Sequence, residues 1–111
     1  MRDDRRDEPV YLISVVARIC EMHPQSIRLY ERLGLIHPRY ISRRRIFSEA
    51  DIDRLRQIRR LTQEMGVNLA GVEVIFSLLE KIDQLQEELD EVKAEHRRAT
   101  GAFLLPAGPE E

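Results

Sequence analysis

The chain has 111 residues, enough for one small domain and an appendage but for only a modest hydrophobic core. A single cysteine, Cys20, excludes an internal disulfide, and three widely spaced histidines offer no tetrahedral metal site, so neither a metal nor a cofactor is expected. The net charge of −2 conceals an asymmetry typical of nucleic-acid-binding proteins, because residues 1–60 hold 14 arginines against nine acidic residues while residues 61–111 hold four basic and eleven acidic residues.

The first element is a charged segment, MRDDRRDEP, without apolar anchors. We expect residues 1–10 to be a disordered arm. The segment is too acidic for a signal or transit peptide, and no apolar run in the chain is long enough to span a bilayer. These features and the single cysteine predict a cytoplasmic protein without a membrane partner.

Two short helices are predicted next, nearly contiguous in the chain. Ser14 opens the first helix, Pro24 suits the first position of the second, and Gly34 is a left-handed stop. The first helix carries an apolar stripe of Val15, Val16, Ile19, Cys20 and Met22. Cys20 therefore belongs to the core and not to a redox site. Helix, tight turn and helix within about twenty residues predict a helix-turn-helix.

The second helix carries the candidate base-reading residues. Gln25, Ser26 and Arg28 lie near its N-terminus on the outward face, where side chains meet base edges in a major groove. Arg28 has an alternative role as a surface residue paired with Glu21 or Glu31, but we favour DNA. His23 is either a cap of this helix or a further DNA contact.

Residues 35–47 hold β-forming residues around a basic centre and predict a two-stranded hairpin, the wing. Its tip contains Arg43, Arg44 and Arg45. Three adjacent positive charges repel one another unless phosphates or acids face them, so we favour phosphate contacts over a merely solvated turn.

A third helix follows the wing. Ser48 and Asp51 resemble a capping box, and Ile52, Leu55, Ile58 and Leu61 mark one helical face that ends near Gly66. Asn68 is a good N-cap for the next helix. Glycine at position 71, early in that helix, predicts a bend or close packing.

The last helix, predicted over residues 69–98, has apolar residues alternately three and four positions apart: Ile75, Leu78, Ile82, Leu85, Leu89 and Val92. Such a seam predicts a coiled coil, and a second copy of the chain is the simplest partner. The helix would span about 45 Å at ~1.5 Å per residue. Residues 99–111 are predicted to be a flexible tail that carries the apolar patch Phe103, Leu104 and Leu105.

The sequence lacks the residue patterns of an enzyme. It has no glycine-rich phosphate loop, no nucleophile with a matched base and no carboxylate pair outside solvated helix faces. The competing class is a coiled-coil adapter whose basic region binds RNA or an acidic protein.

The stretches ISVVARICEMHPQSIRLYERLGLIHP and RRRIFSEADIDRLRQIRRL resemble the N-terminal region of MerR-family regulators, over residues 11–65. MHPQSIRLYERLGL and LTQEMGVNLAGVEVI are similar to the heat-shock repressor branch, the HspR-type proteins. The resemblance implies a mainly α fold: a winged helix-turn-helix over residues 11–68, a hairpin wing and a long dimerisation helix that pairs antiparallel. The implied function is repression of chaperone operons at inverted repeats, with the DnaK chaperone as co-repressor in several relatives. A MerR-type activator is the alternative within the family.

The resemblance also implies site residues. The family's DNA-contacting positions fall on Gln25, Ser26, Arg28, Tyr30, Arg44 and Arg45, with Arg18 as an additional phosphate contact. Leu29 replaces one of two aromatic residues usual in the recognition helix, and Ser42 and Arg43 stand where the wing usually has a glycine. The chain lacks the cysteines and added domain of effector-sensing members, so its input is expected to be another protein. The apolar tail patch is a candidate chaperone contact.

Overall fold

The computed structural model describes residues 4–103, with side chains described from Arg5 to Gly101. Over this range the chain is mainly helical, with one small antiparallel sheet. Two compact units are present: one extends to Glu73, which we call the head, and the other begins at Val74. The predicted fold class is confirmed.

The head begins with the predicted helix-turn-helix, formed by α1 (Ile13–Ile19) and α2 (Pro24–Arg32). Helix α1 starts one residue before the predicted position, and its N-cap, Leu12, provides no side-chain hydrogen bond. Helix α2 is followed by Gly34 at φ +77°, a left-handed conformation that glycine adopts without steric cost. The predicted stop at this glycine is confirmed.

A three-stranded sheet contains the wing. Strands β2 (Arg39–Ile41) and β3 (Arg44–Phe47) form the predicted hairpin, with Ile41 opposite Arg44. A third strand, β1 (Tyr11–Leu12), pairs with the other edge of β3, so the strand order is β1-β3-β2. The sequence did not predict β1, because two residues are too few for an alternating pattern.

Residues 4–10 differ from the disordered arm predicted over residues 1–10, of which residues 1–3 lie outside the described residues. Asp4–Asp7 forms a 3-10 turn, and the Arg6 guanidinium pairs with the carboxylate of Asp53 on α3 (Glu49–Arg59). Val10 N–H then donates to the carbonyl of Phe47 at 2.9 Å. A charge on the third helix therefore orders a segment that has no apolar anchors of its own.

Helix α3 has the predicted capping box, in which the Asp51 amide donates to Ser48 Oγ at 3.2 Å and the Ser48 amide donates to Asp51 Oδ2 at 2.9 Å. A single π turn, Arg60–Glu64, continues it toward Gly66. The core of the head consists of fully buried apolar side chains: Val16, Cys20, Ile27, Ile36, Phe47, Leu55, Ile58 and Val72. Burial also raises the pKa of the Cys20 thiol, which fits a packing role and not a reactive one.

The last helix, α4, is longer than predicted and runs over Leu69–Phe103 instead of ending at residue 98. Asn68 caps it by accepting the Gly71 N–H at 2.7 Å. A Cβ at Gly71 would lie 2.7 Å from Cγ1 of Val67, so the predicted close packing is present. The first compact unit extends to Glu73 and so includes the start of α4, where Val72 is fully buried, while the domain boundary at residue 68 stays a prediction. Within residues 4–103 no helix is both long and apolar enough to cross a bilayer.

Candidate nucleic-acid interface

The turn between α1 and α2 is held from two sides. Glu21 adopts φ 55°, and the Met22 amide donates back to the carbonyl of Ala17 at 3.0 Å, which reverses the chain after α1. From α3, Arg59 Nη1 donates to the carbonyl of Cys20 at 3.1 Å, and Nη2 lies 3.3 Å from Glu21 Oε1. Arg59 thus fixes the turn, a role that its position in the sequence did not indicate.

His23 is the N-cap of α2. Its Nδ1 atom accepts the Gln25 N–H at 3.1 Å, and Pro24 at the first helical position has no N–H to satisfy. The structure therefore has His23 as a cap, and its contact with DNA stays a prediction.

The candidate base-reading residues follow this cap. Gln25 is exposed, while Ser26, Arg28 and Tyr30 are half-buried. Ile27 is fully buried and fixes which side of α2 faces the core. Burial raises the pKa of Tyr30, so its hydroxyl keeps its proton and can donate a hydrogen bond.

The alternative role of Arg28, pairing with a nearby glutamate, does not occur in this structure. Glu21 is paired with Arg59, and Glu31 is paired with Arg45. No ion pair among the side chains of residues 5–101 involves Arg28 or the exposed Arg18. Both guanidinium groups are therefore available to an external anion.

The tip of the wing is a two-residue turn formed by Ser42 and Arg43, with φ of 52° and 67°. Positive φ at both central residues is the mark of a type I′ hairpin turn, which glycine and asparagine usually provide. A side chain in this conformation costs about 1–2 kcal/mol. Arg43 and Arg44 are exposed and take part in no ion pair of the described chain. Two unpaired charges are thus presented at a strained tip.

Arg45 differs from its two neighbours. Its Nε donates to Glu31 Oε1, its guanidinium carbon lies 5.4 Å from the centroid of the Tyr40 ring, and Tyr40 Oη donates to Glu31 Oε2 at 3.2 Å. The hydrogen bond to Glu31 raises the pKa of Arg45 above its ordinary value. The Nε atom of Arg45 is thus held by Glu31 within the head, and the contact of Arg45 with phosphate stays a prediction.

The predicted dimerisation seam lies on α4. Ile75 is half-buried, and the remaining members are 45 to 61% exposed: Leu78, Ile82, Leu85, Leu89 and Val92. Val74 and Leu79 are also exposed and widen the apolar stripe beside the seam, which the three-and-four spacing of the seam did not indicate. Of the predicted chaperone contact, Phe103 is the last residue of α4, whereas Leu104 and Leu105 lie outside the described residues.

Comparison with known protein families shows that residues 11–94 match the sequence profile of the MerR HTH family regulatory proteins. These residues include the helix-turn-helix, the wing and most of α4. This chain belongs to the MerR family. The resemblance expected from the sequence is thereby confirmed.

The chain is similar in sequence to several named regulators, of which three are compared next. Over 89 residues it is 45% identical to heat shock protein HspR of Streptomyces coelicolor, an alignment that covers 79% of the chain and 59% of that protein. It is 34% identical over 94 residues to the HTH-type transcriptional regulator GlnR of Bacillus anthracis, covering 84% and 72%. The mercuric resistance operon regulatory protein of Bacillus cereus is 28% identical over 100 residues, covering 75% of each.

These relatives are named as regulators or as a heat shock protein, which agrees with the absence of enzyme motifs in the sequence. The chain spans about three-fifths of the length of the HspR relative. The region matched by the family, residues 11–94, includes α1, α2 and the wing, where Arg18, Arg28, Arg43 and Arg44 have no ion-pair partner among the described residues.

Proposed function

We propose that this protein is a cytoplasmic, DNA-binding transcriptional repressor of heat-shock chaperone operons that binds inverted repeats as a homodimer. The observation that supports it most is the 45% identity to HspR of Streptomyces coelicolor over 89 residues, which is 79% of this chain. The name of that relative supports the heat-shock assignment, and the family supports transcriptional regulation.

Helix α2 and the wing would make different kinds of contact with DNA. The N-terminus of α2 would enter the major groove, where Gln25, Ser26 and Arg28 reach base edges. Arg43 and Arg44 at the wing tip, together with Arg18, would contact phosphates, which position the protein without reading sequence. Arg28 and these three arginines have no internal ion-pair partner among the described residues, which supports this division.

Dimerisation would cover the seam of α4. An apolar stripe of exposed side chains that runs from Leu78 to Val92 is unusual for a helix that stays in water. Its spacing of three and four residues fits a second copy of the same helix. Two joined heads would then bind two half-sites of an inverted repeat.

The test is binding to an inverted repeat from upstream of a chaperone operon of the same genome, against a scrambled duplex, across a salt series. We expect a preference for the repeat that survives moderate salt, whereas binding to the scrambled duplex falls steeply. A second arm adds DnaK, and stronger binding to the repeat would support DnaK as co-repressor. If DnaK does not change the affinity for the repeat, DnaK is not the co-repressor. Equal affinity for the repeat and the scrambled duplex would contradict the whole proposal. A repeat located between the promoter elements would instead favour an activator.

A further inference from the structure

Three side chains link the recognition helix to both strands of the wing. Glu31, in the last turn of α2, accepts from Arg45 of β3 through Oε1 and from Tyr40 of β2 through Oε2. Tyr40 and Arg45 are opposite each other in the register of the hairpin, and the Arg45 guanidinium lies over the Tyr40 ring at 5.4 Å. Each of the three side chains therefore contacts the other two.

This closed set differs from an ordinary surface ion pair. The side chain of Glu31 is 20% exposed and that of Arg45 is 33% exposed, whereas the Arg56 to Asp53 pair of the same head is 57% and 49% exposed. Both carboxylate oxygens of Glu31 have a donor. A charged hydrogen bond is held in place better than a solvated ion pair when its side chains are mostly shielded from water and its carboxylate also accepts from a second donor.

We propose that Glu31, Arg45 and Tyr40 form a strut that fixes the wing against the recognition helix, so that Glu31 and Arg45 are positioning residues for operator binding and not DNA contacts. The inference rests on the proposed function, since it concerns how the two DNA-binding elements of the head are held.

The physical reason is preorganisation. A wing held beside α2 brings Arg43 and Arg44 to the DNA phosphates when α2 enters the major groove. The wing is then already ordered, so binding does not cost further conformational entropy there.

The decisive variant is Glu31→Gln, because the two possible roles of Arg45 predict opposite signs. In the strut, this variant loses the charged hydrogen bond to Arg45, and affinity for the operator falls about tenfold while the melting temperature changes little. If Arg45 instead contacted phosphate, removing the neighbouring negative charge would strengthen binding to operator and random duplex alike. The matched control is Glu49→Gln, since Glu49 also accepts from a tyrosine, Tyr11, at 3.2 Å but lies on α3 and not on the recognition helix. We expect the control to bind the operator as the unmodified protein does.

A double-mutant cycle adds a second readout. In the strut, Glu31→Gln combined with Arg45→Ala weakens operator binding no more than Arg45→Ala alone, because the same link is broken once. Additive losses would overturn the proposal, as would stronger binding by Glu31→Gln.

The strut is also tested without DNA, so that its failure is distinguishable from failure of the proposed function. Hydrogen exchange of the wing amides from Tyr40 to Arg45 in the free protein should be faster in Glu31→Gln than in the unmodified protein, with α1 and α3 unchanged. Unchanged exchange at the wing would overturn the strut even if the operator is bound. Faster exchange in a protein that shows no operator preference would leave the strut standing and refute the function.

Discussion

Replacing Arg43 at the wing tip by glycine should change fold stability and DNA binding in opposite directions. Arg43 has φ 67°, a conformation that costs a residue with a side chain about 1–2 kcal/mol, whereas glycine adopts it freely but loses about 0.5–1 kcal/mol more on folding. The head of Arg43→Gly should therefore gain about 0.5–1 kcal/mol, a rise of roughly 3–6 °C in Tm at fixed protein concentration.

DNA binding should weaken in the same variant, because a phosphate contact is lost. A plot of log affinity against log salt concentration has a negative slope. Each lost phosphate contact makes this slope shallower by about 0.9, hence by about 1.8 for a dimer that uses both wings. Fluorescence anisotropy with operator and random duplexes over a salt series measures this slope. Ser42→Gly is the matched control, since Ser42 has φ 52° and no charge, so it should stabilise the head with an unchanged slope. An unchanged slope in Arg43→Gly would refute the phosphate contact, and a lower Tm would refute the strain.

Three further changes test other parts of the molecule. Leu85→Asp should raise the dimer dissociation constant at least about 100-fold, since the proposed coiled coil would bury one Leu85 from each copy, each worth ~1.5–3 kcal/mol. Gln84→Asp, off the seam, should leave the dissociation constant unchanged; sedimentation equilibrium decides, and a persistent Leu85→Asp dimer excludes the coiled coil. Arg28→Ala should cost about 1–3 kcal/mol in operator binding and much less on random duplex, and equal losses on both would contradict base reading. Arg59→Ala should lower the free energy of unfolding by about 1–2 kcal/mol in urea, because the carbonyl of Cys20 loses its charged donor; an unchanged midpoint would show that the turn does not need it.

Elements defined by nearby residues were predictable from the sequence. The stop at Gly34, the capping box of Ser48 and Asp51 and the cap at Asn68 each depend on a few consecutive residues, and the structure has all of them. The hairpin was predictable for the same reason, since its β-forming residues flank a basic turn.

Contacts between distant residues were not predictable. Strand β1 exists only because β3 pairs with it, and the N-terminal turn is held by Asp53, 47 positions from Arg6. The pairing of Arg45 with Glu31, 14 positions apart, likewise follows from how the wing folds beside α2. The three consecutive arginines of the wing were predicted to share one role. Successive residues of a strand face opposite sides of the sheet, however, so Arg44 and Arg45 have different surroundings.

The central claim, that two joined heads read an inverted repeat through α2, is tested most directly by changing the distance between half-sites. Inserting about five base pairs, half of a ~10.5 bp turn, between the halves of the bound repeat places them on opposite faces of the duplex. We expect affinity to fall about 100-fold or more, toward that of a single half-site, and we expect inserting a full turn to be less harmful than inserting half a turn. Affinity that is indifferent to the insertion, or equal for one half-site and for the full repeat, would contradict it.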